Sequence, residues 1–589
     1  MSPKKFSLIV GILFLSLGLF SAFSLKGSQG QQDECLITDY TSKGCTVIIV
    51  GKKASVDGSV ITTHTCDCGV CDWTWRYIPA ADHEPGSMRK IYHIDQFKTF
   101  PPEEGLKWEV VYEKNFTGLE IPQIAHTYAF VHGAFGYMND QQLAIGESTI
   151  GSRPKMNNLT PAPKFDITML TLLAMERCET AREAIKLMGS LAEEHGYGHT
   201  DYGEMLAVAD PNEVWIFEIM PVGSLWNPKT GKPGTIWCAQ RVPDDHVSVC
   251  PNESRIGEID LNKPDYFMAS PNVISYAVEN GYYDPKSGEP FNWKKAYSPT
   301  EGSANSTHGW HSRLWRFFDL VASSKKFSPD VPNMDFPFSV KPDKKLSVED
   351  VMRLTRDKYE GTHFDLSGTL QAGPFSNPNY LTRPYKFDGK TWDTKRFISD
   401  NRAEYVTVTQ SRGWLPHPIG GIVWLAWGAQ DTSCFMPLYG AGITGIPKSF
   451  EIGDHFVFDR KSARWAFDYV GFHTQVAYSL AIEDVKKARE KWEKPALKNT
   501  AAIDKAALDL YKQDPDLARE FLTTYCLNNA ERVIEAWWEL GDQLLVKYNH
   551  LFIYNQETRE RKTIQYPDWW LRVIIEHQKL EPRSETGHN

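Results

Sequence analysis

A cysteine near the start of the chain has the surroundings of a catalytic nucleophile. Cys45 follows Gly44, and a β-branched, apolar run at residues 46–50 comes directly after it. If the chain were cut before Cys45, one residue would carry both a thiol and a free α-amine. An α-amine titrates near ~7.7–8.0, so it can accept the proton of a thiol whose ordinary pKa is about 8.5. The pattern therefore predicts covalent catalysis by an N-terminal cysteine, with processing between Gly44 and Cys45.

The first residues of the chain are typical of a secretory signal. Lys4 and Lys5 form a basic start, residues 6–20 are almost wholly apolar, and small side chains follow at the spacing of a cleavage site. An apolar run of about 15 residues is shorter than the roughly 20 that a membrane-spanning helix needs. We therefore expect a signal peptide at residues 1–24, a propeptide at residues 25–44, and export to the periplasm or the extracellular space. The alternative is that the segment stays attached as an uncleaved anchor.

The overall composition argues against several classes of function. The chain has 589 residues, of which 41% are hydrophobic and 23% are charged, an ordinary globular balance. The formal net charge is −10, and no basic face or basic run stands out. We therefore expect no nucleic-acid partner. No comparable apolar stretch follows the signal, so we expect no stable membrane partner, whereas a homo-oligomer stays open.

The cysteines fit an exported protein, in which disulfides can form. The chain has ten cysteines. If Cys35 leaves with the propeptide and Cys45 stays free, the number that remains is even, and its connectivity cannot be deduced from the sequence. Cys238 and Cys250 flank a predicted hairpin at residues 239–249. We expect a disulfide between these two.

Three further cysteines, Cys66, Cys68 and Cys71, follow His64 closely. These residue types could form a metal cluster, but a structural zinc ion usually takes its ligands from two separated knuckles. No second pair of cysteines with a suitable spacing follows. We therefore expect a loop or a local disulfide at this position, and no metal ion or organic cofactor in the protein.

A predicted hairpin positions the nucleophile. Residues 46–50 have the pattern of a buried strand, residues 52–58 have the composition of a turn, and residues 59–63 form a second β-branched run. A regular hairpin would place His64 and Asp67, at the far end of the second strand, beside the cysteine. The nucleophile would then lie on rigid backbone.

The rest of the chain mixes strands and helices. Further strands are predicted at residues 141–145, 206–209, 214–219, 405–410 and 421–427, and helices at residues 166–191, 347–359 and 515–548. This pattern predicts a mixed α/β catalytic body over residues 45–476 and a helical C-terminal extension over residues 477–589. The glycine-rich segment at residues 440–445 is predicted to be a loop, because Pro447 follows where a dinucleotide-binding helix would have to begin.

Residues 45–59 closely resemble the start of the mature N-terminal-nucleophile (Ntn) cysteine dipeptidases, the family of dipeptidase A and the secernins. This stretch reads Cys-Thr-Val-Ile-Ile-Val-Gly-Lys-Lys-Ala-Ser-Val-Asp-Gly-Ser. Further similar motifs follow in order at residues 138–149, 209–215, 241–243, 356–362 and 420–424. The similarity runs from Cys45 to roughly Pro447 and then into the helical tail.

The resemblance implies an α+β fold, the four-layer αββα sandwich of the Ntn hydrolases, here with a helical extension. It also implies self-activation by cleavage before the cysteine, hydrolysis of short peptides as substrates, and no cofactor. In the precursor, Cys45 would attack the carbonyl of Gly44. In the mature enzyme, the freed amine would take the thiol proton, and a thioester intermediate would then react with water.

The resemblance also suggests assisting residues. Asp67 matches the aspartate that receives the α-amine, although His64 stands where the family usually has an arginine, three residues earlier. Asn252 is similar to an asparagine near the amine and the oxyanion, and Arg313 is similar to a late arginine of the superfamily. Thr149 falls where the related acylases have an oxyanion-hole asparagine, so we include it among the substrate-binding candidates with His64.

Each of these residues also has a purely structural interpretation. Cys45 could pair with Cys35 or be a core thiol, Asp67 and Asn252 could stabilise turns, and Arg313 could form an ordinary salt bridge. Two acidic residues, Glu147 and Glu204, are candidates for binding the amino terminus of a substrate, with a surface position or a buried pair as the alternative. In our predictions Glu147 is the substrate-binding residue of the two.

Two other functions remain compatible with the sequence. The first is an Ntn acylase that cleaves non-peptide amides of the bile-salt or penicillin V type. The second is an exported binding protein that keeps the fold without catalysis, which the histidine at position 64 suggests. A substrate panel separates the first alternative from a peptidase, and the reactivity of the Cys45 thiol tests the second.

Overall fold

The computed structural model describes most of the chain from Gly44 onward. The described residues are 44–69, 71–94, 115–198, 202–306, 311–381, 385–392 and 395–582. The predicted signal peptide, Cys35 and the propeptide before Gly44 lie outside them. The site discussed below belongs to a compact unit made of the described residues within Ser42–Tyr385 and Trp392–Asn589.

The described strands and helices have the following bounds. The strands are β1 (Val47–Val50), β2 (Val60–Thr65), β3 (Arg76–Ile78), β4 (Ala81–Asp82), β5 (Met88–Tyr92), β6 (Phe116–Pro122), β7 (His126–Thr127), β8 (Phe130–His132), β9 (Gly136–Asn139), β10 (Ala144–Ile150), β11 (Gly203–Ala209), β12 (Val214–Met220), β13 (Ile236–Val242), β14 (Val247–Cys250), β15 (Phe267–Ala269), β16 (Tyr385–Phe387), β17 (Lys390–Trp392), β18 (Tyr405–Ser411), β19 (Gly421–Trp427), β20 (Met436–Leu438), β21 (Phe552–Tyr554) and β22 (Arg561–Thr563). The α-helices are α1 (Ile167–Arg177), α2 (Ala181–His195), α3 (Ser275–Glu279), α4 (Trp293–Tyr297), α5 (His311–Val321), α6 (Val348–Leu354), α7 (His417–Gly420), α8 (Ala463–Thr474), α9 (Tyr478–Tyr511), α10 (Pro515–Tyr548) and α11 (Asp568–Gln578).

Two large sheets form the centre of the unit that contains the site. The first has six strands in the order β14-β1-β2-β18-β19-β20, and the second has eight in the order β15-β13-β12-β11-β10-β9-β8-β3. Strands β1, β2, β18 and β19 are buried along their whole length. Because side chains alternate between the two faces of a strand, both faces of the first sheet must be covered. This explains why the strands consist mainly of β-branched and apolar residues.

The two sheets approach each other closely where β10 meets β2. Gly146 on β10 lies against the carbonyl oxygen of Thr63 on β2, and a Cβ atom at position 146 would overlap that oxygen. The absence of a side chain therefore allows the contact. It brings Glu147, the next residue on β10, to the end of the hairpin formed by β1 and β2.

Helices pack against both sheets. Helix α2 contacts β11, β12 and β13, whereas α8 contacts β19 and α10 contacts β20. The predicted helix at residues 515–548 is confirmed as α10, which begins with Pro515 after the capping residue Asp514. No α-helix within the described part of the chain is both long and apolar enough to cross a bilayer. The four-layer arrangement and the domain boundaries stay predictions.

Three predicted elements differ from the structure. The predicted helix at residues 166–191 is two helices, because Thr180 and Glu183 form a capping box that starts α2. The strand predicted at residues 141–145 begins only at Ala144, since the Asn139 side chain accepts the backbone N–H groups of the two residues at 141 and 143 and holds a turn. The helix predicted to reach residue 359 ends at Leu354.

The predicted disulfide between Cys238 and Cys250 is wrong. Both cysteines are free and buried, and they lie on strands of different sheets, β13 and β14, rather than in one hairpin. The expectation of a local disulfide in the cysteine cluster is confirmed, because Cys68 is bonded to Cys71. Cys66 is free and buried beside it.

Candidate active site

Backbone pairing places Cys45 at the end of the β1–β2 hairpin. The pairing continues beyond the strands, since Thr65 N–H donates to the carbonyl oxygen of Thr46 at 3.2 Å and Asp67 N–H donates to that of Gly44 at 3.1 Å. Cys45 is only 7% exposed. The predicted hairpin is confirmed, and it brings both His64 and Asp67 to the cysteine.

The Cys45 thiol contacts a histidine and a carboxylate. Its Sγ lies 3.1 Å from Glu147 Oε2 and 3.3 Å from His64 Nε2, and those two atoms lie 3.4 Å apart. Burial raises the pKa of the Cys45 thiol well above its ordinary value, and the nearby Glu147 carboxylate raises it further. In this form of the chain the thiol is therefore protonated and donates to Glu147.

A chain of hydroxyl groups orients the His64 ring. The Tyr137 hydroxyl lies 2.8 Å from His64 Nδ1 and 2.9 Å from the Tyr405 hydroxyl, which accepts the backbone N–H of Ala134 at 2.7 Å. Burial lowers the pKa of His64 to about 3, so the imidazole is neutral around neutral pH. A neutral ring offers one donor and one acceptor, and the direction of the Tyr137 hydroxyl decides whether the nitrogen that faces the thiol carries the proton.

Asp67 is held beside the Gly44–Cys45 bond by two donors. Its Oδ2 accepts from Arg396 Nη2 at 2.6 Å and from Thr65 Oγ1 at 2.8 Å. Burial raises the pKa of Asp67 to about 6, although Arg396 opposes that rise. The backbone N–H of Asp67 points at the Gly44 carbonyl oxygen. Asp67 therefore contributes a carboxylate and an amide donor to the same junction.

Asn252 lies at the centre of the hydrogen bonds around the Cys45 amide. Its Oδ1 accepts from Cys45 N at 3.2 Å, from Arg313 Nη2 at 2.9 Å and from Arg396 Nη1 at 3.0 Å, while its Nδ2 donates to the carbonyl oxygen of Thr149 at 2.8 Å. The residue has a φ of 67°, a conformation that asparagine tolerates better than most residues. These donors fix its carboxamide orientation.

Arg313, on helix α5, holds the cysteine from the other side. Its Nη1 donates to the Cys45 carbonyl oxygen at 2.8 Å and to Thr46 Oγ1 at 2.7 Å. Burial lowers the pKa of Arg313 to about 9, and the neighbouring positive charge of Arg396 contributes. The residues predicted for the site thus lie in one cluster around Cys45, in which all but the partly buried Thr149 are buried.

Two candidate residues have different surroundings from those predicted. Thr149 donates through Oγ1 to Glu147 Oε1 at 3.2 Å, so it supports the carboxylate instead of facing the thiol directly. Glu147 also shares a hydrogen bond with Glu204, and both are buried. Glu147 and Glu204 therefore form a buried pair, and the role of Glu147 in substrate binding stays a prediction.

The sequence analysis did not identify Arg396 and Tyr137. Arg396 donates to both Asp67 and Asn252, and it supplies the guanidinium group that the family resemblance expects at position 64. Arg396 is so far along the chain from Asp67 and Asn252 that no sequence spacing related it to them. Tyr137 lies one residue before the motif at residues 138–149, on β9, whose four residues are all buried.

Comparison with protein families matches residues 44–491 to peptidase family C69. The chain belongs to peptidase family C69. The matched region begins one residue before Cys45 and contains every residue of the site described above. The family resemblance derived from the sequence motifs is confirmed, and this C69 chain is a peptidase.

Relatives of this C69 peptidase come from several bacteria. A "Probable dipeptidase" of Salmonella dublin is 27% identical over 405 residues, which cover 67% of this chain and 80% of the relative. A "Probable dipeptidase" of Latilactobacillus sakei is 24% identical over 523 residues, covering 86% and 96% of the two chains. A "Dipeptidase" of Bifidobacterium longum is 25% identical over 417 residues, covering 67% and 70%.

Proposed function

We propose that this C69 peptidase is an exported dipeptidase that cleaves itself before Cys45 and then uses Cys45 as an N-terminal nucleophile. The observation that carries the proposal is the position of the intact Gly44–Cys45 bond. Its carbonyl oxygen faces Asp67 N–H, its nitrogen faces Asn252 Oδ1, and the thiol is on the Cβ atom of the residue that supplies this nitrogen. The names of the relatives support dipeptides as the substrates.

In the processing reaction, Cys45 Sγ attacks the carbonyl carbon of Gly44, and the thiol proton passes to Glu147 Oε2, which lies 3.1 Å from Sγ. The negative charge develops on the Gly44 oxygen, where Asp67 N–H stabilises it. The C–N bond then breaks, the nitrogen of Cys45 takes a proton, and a thioester joins Gly44 to Sγ. Water hydrolyses this thioester, which releases the propeptide as a carboxylate and leaves Cys45 with a thiol and a free amine.

In peptide hydrolysis, the freed amine accepts the thiol proton and the thiolate attacks the substrate carbonyl. The peptide C–N bond then breaks, the ammonium group of Cys45 returns the proton to the leaving amine, and water hydrolyses the thioester to release the acid and restore the thiol. Departure of Gly44 frees Asp67 N–H to stabilise the substrate oxyanion, and one such donor is worth about 10²–10³ in rate. We assign this contact to Asp67 rather than to the Asn252 amide, because Asn252 Nδ2 already donates to Thr149 and lies 3.4 Å from Ser148 Oγ. Asn252 Oδ1 holds the amine.

The position of Glu147 favours a dipeptide over a non-peptide amide. In a dipeptide the α-ammonium lies two bonds from the carbonyl carbon that the thiolate attacks. Glu147 Oε2 lies 3.1 Å from Cys45 Sγ, so its carboxylate is close to where that ammonium must sit. An acyl chain without a positive charge would offer the buried carboxylate no opposite charge, which is costly.

We also infer the four-layer αββα arrangement of the Ntn hydrolases for this chain. The contact between β2 and β10 supports two facing sheets, and the helices packed on β11–β13 and on β19 and β20 support the outer layers. The predicted signal at residues 1–24 supports export.

Gly44 is suited to the processing site because it has no side chain. A Cβ atom at this position would overlap the guanidinium group of Arg396 and lie 2.7 Å from Asn252 Oδ1. We expect Gly44→Ala to slow propeptide release at least tenfold, measured by the time course of the two fragments on a denaturing gel. The matched control is Gly445→Ala, where nothing lies within 4 Å of an added Cβ. Equal rates for the two variants would contradict the assignment.

The full chain, expressed with its native N-terminus, tests the proposed function. We expect the N-terminal sequence Cys-Thr-Val-Ile in the purified protein and hydrolysis of unblocked dipeptides. N-acetylated dipeptides, penicillin V and conjugated bile salts are expected to react at least a hundredfold more slowly. An active protein whose N-terminus lies upstream of Cys45 would refute self-processing, and faster turnover of penicillin V would establish the acylase alternative instead.

A further inference from the structure

The three side chains at the nucleophile form a complete set of zinc ligands. Cysteine sulfur, histidine nitrogen and carboxylate oxygen are the donors that bind Zn²⁺ in proteins. Cys45 Sγ, His64 Nε2 and Glu147 Oε2 converge from three elements, the start of β1, the end of β2 and the middle of β10. The three donors belong to the proposed catalytic site, but nothing in peptide hydrolysis requires them to bind a metal.

Their separations are close to those of a tetrahedral ion site. Zn²⁺ bonds sulfur at about 2.3 Å and nitrogen or oxygen at about 2.0–2.2 Å, which gives tetrahedral edges of about 3.5–3.6 Å from sulfur to the lighter atoms and about 3.4 Å from nitrogen to oxygen. The observed distances are 3.3 Å from Sγ to Nε2, 3.1 Å from Sγ to Oε2 and 3.4 Å from Nε2 to Oε2. Shifts of about half an ångström would suffice to admit the ion.

Two further residues support the ligands as outer partners do in metal sites. The ring nitrogen of a metal-bound histidine that faces away from the ion is usually hydrogen-bonded, and so is the free oxygen of a ligating carboxylate. Here Tyr137 Oη lies 2.8 Å from His64 Nδ1, and Thr149 Oγ1 donates to Glu147 Oε1 at 3.2 Å. Both partners leave Nε2 and Oε2 directed at the thiol.

We propose that Cys45, His64 and Glu147 bind a single Zn²⁺ ion, or a similar thiophilic divalent cation, that inhibits the peptidase. Binding replaces the thiol proton, which passes to solvent, and the sulfur lone pair that would attack the substrate is held by the metal. The ion also occupies the carboxylate that the proposed function assigns to the substrate ammonium. The inhibition rests on that proposed function, whereas the binding site rests on geometry alone.

The choice of metal follows from the donor set. One sulfur and one imidazole nitrogen favour borderline cations such as Zn²⁺ and Co²⁺, whereas Mg²⁺ and Ca²⁺ prefer oxygen ligands. The second sulfur cluster, Cys66, Cys68 and Cys71, is a poorer site because two of its members are joined in a disulfide and carry no thiolate. The proposed metal site is therefore at Cys45 and not at the cluster of Cys66, Cys68 and Cys71.

Co²⁺ is a suitable probe because a thiolate bound to it produces a charge-transfer absorption band. We expect purified full-length protein to bind one Co²⁺ per chain with this band, and Zn²⁺ to displace it. Cys45→Ser is expected to remove the band, and Glu147→Gln and His64→Gln to weaken binding more than tenfold. Cys66→Ser is the matched control, a second buried thiol at the same end of the hairpin, and is expected to bind as the wild type does.

Activity is measured separately in the wild type. We expect Zn²⁺ to stop dipeptide hydrolysis at the concentrations at which it displaces Co²⁺, EDTA to restore it, and Mg²⁺ to have no effect.

Loss of the band in Cys66→Ser, its persistence in Cys45→Ser, or the absence of any band would overturn the metal site. A chain that binds Co²⁺ at Cys45 but hydrolyses no dipeptide would refute the proposed function and leave the site in place. Circular dichroism of each variant excludes misfolding as the cause of lost binding.

Discussion

Cys45→Ala is expected to abolish dipeptide hydrolysis and to leave the chain joined at Gly44. The substitution removes the only atom that the proposed mechanism uses as a nucleophile in both reactions. Loss of such an atom costs on the order of 10⁴–10⁶ in kcat. The intact mass of the purified protein measures processing, and steady-state hydrolysis of an unblocked dipeptide measures catalysis. Because alanine is smaller than cysteine and equally apolar, we expect the fold to persist.

Two matched variants isolate the role of the sulfur. Cys45→Ser keeps a weaker nucleophile in the same place, and we expect slow, incomplete processing. Cys66→Ser changes another buried thiol at the end of the same hairpin, and we expect wild-type processing, since the backbone of Cys66 pairs with Tyr405 and Glu404 rather than with Gly44 or Cys45. Rapid processing in Cys45→Ala would mean that another protein cuts the chain, whereas persistent hydrolysis would move the nucleophile elsewhere.

Arg396→Met is expected to have the largest effect on stability. The Arg396 guanidinium pairs with Asp67 at 2.6 Å and with Asp400 at 3.1 Å, and it donates to Asn252 at 3.0 Å. Both carboxylates are fully buried, so the substitution removes the ion pair of Asp67 and leaves Asp400 paired with Arg402. Breaking a buried pair in this way costs about 3–5 kcal/mol. The midpoint of urea-induced unfolding measures the loss.

Arg402→Met is the control for this experiment. Arg402 also pairs with Asp400, at 2.9 Å, but its side chain is 25% exposed. We therefore expect a loss of about 1 kcal/mol or less. The double substitution Arg396→Met with Asp67→Asn should recover part of the stability, because it removes the negative charge of Asp67. It should not recover processing, because the guanidinium group that holds residues 67 and 252 is still missing. Equal losses in the two arginine variants would contradict a special role for Arg396.

The loss in Arg396→Met should also depend on pH. Burial raises the pKa of Asp67 to about 6, above its ordinary value of 3.8, so the folded state binds a proton more tightly than the unfolded state between roughly pH 4 and 6. The contribution of Asp67 to stability therefore falls as the pH rises through that window. Removing the guanidinium raises the pKa of Asp67 further and extends the window upward. We expect a smaller loss at pH 5 than at pH 8.

The local features of the site were predictable from the sequence. The β-branched run after Cys45, the turn composition and the second run define a hairpin, and hairpin geometry places His64 and Asp67 beside the cysteine. Pairing of Asp67 N–H with the Gly44 carbonyl oxygen follows from the same register. Such predictions succeed because a hairpin relates residues that are near one another in the chain.

Contacts between distant segments were predicted less well. Cys238 and Cys250 are near in sequence, yet β13 and β14 belong to different sheets, so the expected hairpin and disulfide do not form. Glu147 was identified only as one carboxylate of a motif, without its contact to the thiol. That contact depends on how closely two sheets pack at Gly146, which no spacing along the chain encodes.

The sequence by itself determined the candidate nucleophile, the small residue before it, the hairpin that carries it and the family to which the chain belongs. These depend on short-range patterns, in which residue type and spacing are sufficient. Only the tertiary structure decided that Arg396 supplies the guanidinium for Asp67, that Tyr137 orients His64, and that Glu147 reaches Cys45. Each of these joins segments separated by 70 or more residues, and packing between layers alone brings them within hydrogen-bonding distance.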